Sequence, residues 1–133
     1  MKILNNDKFL KYLMDKEGLS LKMPSKEKAK RDVVRAKAKE FADKQEQLWR
    51  DGRLGIVLDG TGRDLEKTGA IKAKLEDLGY DTMMLYVNTN LKTAIRRNYE
   101  RERPVPLSVL KKNWNVILNN IGQFQGMFKG DFH

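Results

Sequence analysis

Leu54-Gly55-Ile56-Val57-Leu58-Asp59-Gly60-Thr61-Gly62-Arg63 combines a continuous apolar run with a turn rich in polar and glycine residues. The run from Leu54 to Leu58 predicts a strand covered on both faces, as in a parallel sheet. Asp59 to Arg63 then sets a carboxylate, a hydroxyl and a guanidinium around two glycines at the carboxyl end of that strand. Glycines let backbone approach a ligand and accept positive φ. Arginine grips a phosphate or carboxylate with a two-pronged fork. The plain alternative is a strand-to-helix turn, with Asp64 as helix cap and Arg63 solvated.

Working outward, Asp64 to Leu78 predicts a helix with Thr68, Ile71, Leu75 and Leu78 on one face, closed by Gly79. Thr82 to Val87 predicts a second buried strand, ending at Asn88-Thr89-Asn90. Leu91, Ala94, Ile95 and Asn98 trace a further helix, which Pro104 stops. Pro106 opens the last helix, with Leu107, Leu110, Trp114, Ile117, Leu118, Ile121 and Phe128 as its stripe.

On the amino-terminal side, Lys2 to Asn5 predicts a short strand. Asn6 or Asp7 caps a helix bearing Phe9, Leu10, Leu13 and Met14, and Gly18 stops it. Ser25 caps a long helix reaching about Arg50 and ended by Gly52, with Val34, Ala38, Phe41 and Leu48 as its apolar stripe and Trp49 beside it. Its other faces carry Lys26, Lys28, Lys30, Arg31, Arg35, Lys37 and Lys39, either as a solvated face or as a nucleic-acid surface. Strands alternating with helices predict an α/β fold with a mainly parallel sheet, whose ligands bind beyond the carboxyl ends of the strands.

The chain has 133 residues, which suits one domain. Lysine and arginine total 27 against 18 acidic residues, a net charge of +9 that favours an anionic partner such as a nucleotide or a nucleic-acid end. Cysteine is absent, which excludes disulfides and cysteine-ligated zinc. The single histidine, His133, argues against a histidine triad or a multi-histidine metal site, and no metal ligand is assigned. No run approaches the roughly 18 apolar residues of a membrane span. No apolar signal segment is visible, so the expected location is the cytoplasm.

Two further clusters carry candidate chemistry. Asp7, after the first strand, is placed to take a proton from a hydroxyl, or is only a helix cap. Lys92, Arg96, Arg97, Arg101 and Arg103 crowd one segment. Arg97 and Arg101, four apart, are expected to share a helix face and clamp an anion; a solvated basic face is the alternative, with Glu100 and Glu102 neutralising part of it.

Together these pieces resemble the P-loop kinase superfamily, most closely its polynucleotide kinase, zeta-toxin and phage-type predicted kinase branch. The resemblance runs from about Lys2 to Phe128. It rests on Asn5-Asn6-Asp7, the Asp59 to Arg63 turn, Leu78-Gly79-Tyr80, Leu85-Tyr86-Val87 and the arginine-bearing helix ending near Arg103. The fold it implies is a three-layer, mainly parallel sheet forming a single domain over residues 1–133, with a lid-like region at 90–110. By resemblance, Asp7 is the catalytic residue that activates the acceptor hydroxyl. Asp59, Thr61 and Arg63 contact substrate, and Arg97, Arg101 and Arg103 are the lid that grips ATP phosphates. A complete member uses ATP and magnesium.

One departure stands against that match. The Gly-x-x-x-x-Gly-Lys-Ser/Thr loop that cradles phosphates in the superfamily is absent from the sequence. The chain begins at what resembles the family's second strand and stops before its last. This predicts an incomplete sheet, rearranged or strand-exchanged, a homo-oligomer, and no cofactor or ATP-dependent catalysis in the chain as it stands. Two other functions remain open: a non-catalytic nucleic-acid- or nucleotide-binding protein, and an oligomeric structural or regulatory protein.

Overall fold

A computed structural model describes residues 1–133 as two compact units, Met1–Gly60 and Thr61–His133. The protein is mixed α/β and mostly helical.

In the first unit, β1 (Lys2–Leu4) leads into α1 (Asn6–Lys16), a 3-10 turn (Ser25–Glu27), α2 (Lys28–Asp51) and β2 (Ile56–Leu58). The strands pair in parallel, Lys2 opposite Ile56 and Leu4 opposite Leu58. The N-cap of α1 is Asn5 rather than Asn6 or Asp7: its side chain accepts from the Asp7 N–H at 2.8 Å. Three capping residues stand in a row here, and the chain uses the first, immediately after the strand. Gly18, at φ +66°, closes α1, with its N–H on Asp15 O and the Leu19 N–H on Met14 O.

The core of this unit lies between α1 and α2. Leu10, Leu13, Met14 and Leu19 bury against Val34 and Ala38, and Ala42 is also buried. Met14 is fully buried, a transfer worth about 1.5–3 kcal/mol. Small residues at 38 and 42 let the helices approach closely. The long-helix stripe is therefore correct at Val34 and Ala38 but not at Phe41 and Leu48, which are exposed; Phe41 meets the Phe9 ring edge-on at 6.4 Å. Ser25 makes no cap, since Pro24 precedes a 3-10 turn instead. Gly52 ends α2, but the left-handed residue that follows is Arg53, at φ +53°.

In the second unit, α3 (Leu65–Asp77), α4 (Leu91–Tyr99) and α5 (Leu107–Phe128) are followed by a 3-10 turn (Lys129–Asp131). Asp64 caps α3 by accepting from the Lys67 N–H, and Asn90 caps α4 by accepting from Thr93. Both α3 and α4 pack on α5. On α5 the buried residues are Asn120, Phe124 and Phe128, four apart. Of these the sequence stripe contained only Phe128.

The expected multi-stranded sheet is reduced to two strands. Leu54 to Leu58 does contain a strand, but it has β1 as its one strand neighbour, and Val57 and Leu58 remain exposed rather than covered on both faces. Thr82 to Val87 is not a regular strand. It makes one parallel bridge, Met84 to Phe132, carried by three backbone hydrogen bonds to Asp131 and His133. Its side chains alternate: Thr82, Met84 and Tyr86 are half-buried, while Met83, Leu85 and Val87 are exposed. Backbone pairing is confined to the three bonds with Asp131 and His133, so the segment is held along one edge over a few residues.

Candidate acceptor and lid sites

The carboxyl ends of β1 and β2 carry Asp7 and Asp59. Parallel register sets Leu4 beside Leu58, so the next residues, Asn5 and Asp59, emerge side by side. Asn5 Nδ2 donates to Asp59 Oδ2 at 2.7 Å while Asn5 Oδ1 accepts from the Asp7 N–H. One amide side chain thus ties the Asp59 carboxylate to the turn that carries Asp7. Asp7 lies in the first turn of α1, where helix N–H groups favour a negative charge. Both carboxylates are exposed. A shallow groove further along α1 is lined by Lys8, Lys11, Tyr12, Asp15 and Leu21, none of them an expected site residue.

In the second unit, Thr61 and Arg63 are exposed on the approach to α3. Between them Gly62 takes φ +66°, and a Cβ there would lie 3.7 Å from Phe124 Cε2. The turn is held from α5. Asn120 Nδ2 donates to the Gly62 carbonyl at 3.1 Å and to the Arg63 carbonyl at 2.9 Å.

The arginine cluster differs from expectation in one respect. Helix α4 ends at Tyr99 with Glu100 as C-cap, so Arg101 lies beyond it and does not share a helix face with Arg97. Buried Asn98 explains the ending. Its Nδ2 donates to the Val105 carbonyl and its Oδ1 accepts from the Val105 N–H, both at 2.8 Å. The chain from Tyr99 to Pro104 is therefore drawn into a closed loop instead of continuing as helix. Arg96 and Arg97 sit in the last turn of α4, where cations complement the helix dipole. Arg96 faces Glu100 at 3.9 Å, and both are exposed, so that pair contributes little. Trp114 Nε1 donates to Thr89 O and anchors the entry to α4 from α5.

Asn5, Asn98 and Asn120 are the residues that sequence reasoning missed as site-builders. Each holds a segment bearing an expected site residue. Only Asn5 carried a signal, its place at a strand exit; the partners of Asn98 and Asn120 lie seven and more than fifty residues away.

Arg97, Arg101 and Arg103 supply guanidinium groups within one short segment. No three His, Asp or Glu side chains gather to hold a metal ion. No helix is long and apolar enough to cross a membrane.

Two parallel strands joined through helices, with Asn5 and Asp59 just beyond their carboxyl ends, are compatible with an incomplete P-loop-like α/β fold. The family model for zeta toxin matches residues 3–125, and the chain belongs to that family. Comparison with curated proteins and with solved structures gives no match.

Proposed function

We propose that these residues form the acceptor and lid side of a zeta-toxin-type phosphotransferase, as parts of one kinase-like domain with its lid at 90–110. Asp7 takes the proton from the acceptor hydroxyl as that oxygen attacks phosphorus. Asp59, Thr61 and Arg63 hold the acceptor, a hydroxyl on a nucleic-acid end, a nucleotide or another small molecule. Arg97, Arg101 and Arg103 offset charge on the transferred phosphoryl oxygens. The single observation that carries this reading is the Asn5 bridge between the Asp59 carboxylate and the Asp7 turn, at the paired ends of parallel strands.

Without a glycine-rich loop the 133 residues alone transfer no phosphate from ATP. The test is a chimaera that sets the strand and Gly-x-x-x-x-Gly-Lys-Ser loop of a zeta-toxin relative ahead of Met1. It should phosphorylate an acceptor hydroxyl, and Asp7→Asn should lower that rate by about 10²–10⁴-fold. An unchanged rate in Asp7→Asn leaves Asp7 as a first-turn helix residue only.

A second reading rests on α2. Lys28 pairs with Asp32 and Lys44 with Glu40, while Lys30, Lys37 and Lys39 are exposed without an ion pair. This basic face supports nucleic-acid binding. The affinity for an oligonucleotide should then fall steeply with salt, and no binding at low salt rejects it. Exposed Met83, Leu85 and Val87 support self-association, which light scattering at high concentration tests.

A further inference from the structure

Val105 lies between Pro104 and Pro106, and neither proline has a backbone N–H. Val105 therefore supplies the one backbone donor of that three-residue brace. Asn98 takes it, and returns its own Nδ2–H to the Val105 carbonyl, so that one amide side chain pairs both polar groups of one residue. Asn98 is 3 % exposed, which shields the pair from water. The Arg101 N–H reaches back to Asn98 O at 3.4 Å, a further tie inside the same loop. The residues enclosed, Tyr99 to Pro104, include Arg101 and Arg103.

We infer that Asn98 is a positioning residue that holds the Arg101–Arg103 loop preformed for an oligophosphate. The inference rests on the lid role given to these arginines above. A loop already closed by two hydrogen bonds, with α4 at one end and two prolines at the other, loses little further entropy when an anion binds. An aspartate of the same shape keeps the acceptor for the Val105 N–H. It loses the donor, however, and sets a negative charge against the Val105 carbonyl. An alanine loses both partners.

The experiment is a double-mutant cycle in the whole chain, titrated with inorganic tripolyphosphate by calorimetry. Amide hydrogen exchange at Val105 is followed in each protein. The wild type should bind, and Val105 should exchange slowly. Asn98→Ala should weaken binding by roughly tenfold and release the Val105 amide; Arg101→Ala should weaken binding by a similar factor. Adding Arg101→Ala to Asn98→Ala should then cost no more than about twofold, because an unpositioned arginine contributes little. Additive losses, or unchanged affinity in Asn98→Ala, overturn the inference. If Asn98→Ala does not fold, Asn98→Asp takes its place in the same cycle. No binding by the wild type, with Val105 still protected, defeats the lid reading itself. Wild-type binding with an additive cycle defeats only the role of Asn98.

Discussion

Asn5 and Asp59 meet at 2.7 Å, Nδ2 to Oδ2, and this bond joins the exits of the two parallel strands. Asn5 also caps α1, so one side chain has a structural task and a site task. Substitution separates them. Asn5→Ala removes the cap and the bridge together and should cost about 1–2 kcal/mol by urea unfolding. Asn5→Asp keeps a capping oxygen but sets two carboxylates at hydrogen-bond distance. It should be less stable than the wild type at neutral pH and recover as one carboxyl takes a proton in acid. Wild-type stability in Asn5→Asp at neutral pH would mean that the bridge has no energetic weight.

Glycine substitutions should have opposite signs at two positions, for reasons visible in the backbone. Gly79 ends α3 at φ +85° with open space around its Cα, so an alanine there meets backbone strain alone. Gly79→Ala should cost about 1–2 kcal/mol. Gly122 lies inside α5, again with open space, at a helical position where alanine is the better residue. Gly122→Ala should add about 0.5–1 kcal/mol. Thermal melts of both variants check the pair, and a stabilising Gly79→Ala would contradict the left-handed cap.

Signals that act over a few residues were legible in the sequence. Asp64, Gly79 and Pro106 bound their helices as expected, Asp64 because its side chain accepts from an N–H only three residues on. The sheet was not legible to the same degree. An apolar run such as Leu54 to Leu58 states that the side chains favour burial, not which strand lies alongside. Thr82 to Val87 reads as a strand for the same reason, and pairs only briefly with Phe132. The site residues were named from strand ends and from resemblance. The asparagines that hold them depend on distant partners, so composition and spacing pass over Asn98 and Asn120.

Phe124 is the largest fully buried side chain in the second unit, and its ring edge lies where a Cβ on Gly62 would make contact. Phe124→Ala should cost about 3–5 kcal/mol by loss of burial and creation of a cavity. Phe124→Leu should cost less, because much of the volume is kept. Both are measured by denaturant midpoint at constant slope. A cost below about 1 kcal/mol for Phe124→Ala would contradict its place in the core.

Glu76 makes an acid-dependent contribution whose sign can be worked out. Lys72 hydrogen-bonds to its carboxylate, the Thr82 hydroxyl donates to the same oxygen at 2.7 Å, and together they hold the carboxyl below its ordinary value of 4.5. A carboxyl whose pKa is lowered on folding binds fewer protons folded than unfolded near that value. Its stabilisation is therefore complete above about pH 4.5 and is lost as pH falls through the lower, folded value. Glu76 is solvent-exposed, so the effect is modest and screened by salt. Lys72 also lies 5.6 Å from the centre of the Phe128 ring, so the lysine stays anchored when the carboxylate is removed. Glu76→Gln should therefore flatten part of the acid limb of the stability curve, and its difference from the wild type should shrink as pH falls below about 4.5. Wild type and Glu76→Gln, unfolded in urea at pH 7 and pH 4, decide it. A difference that grows toward low pH would reverse the assigned sign.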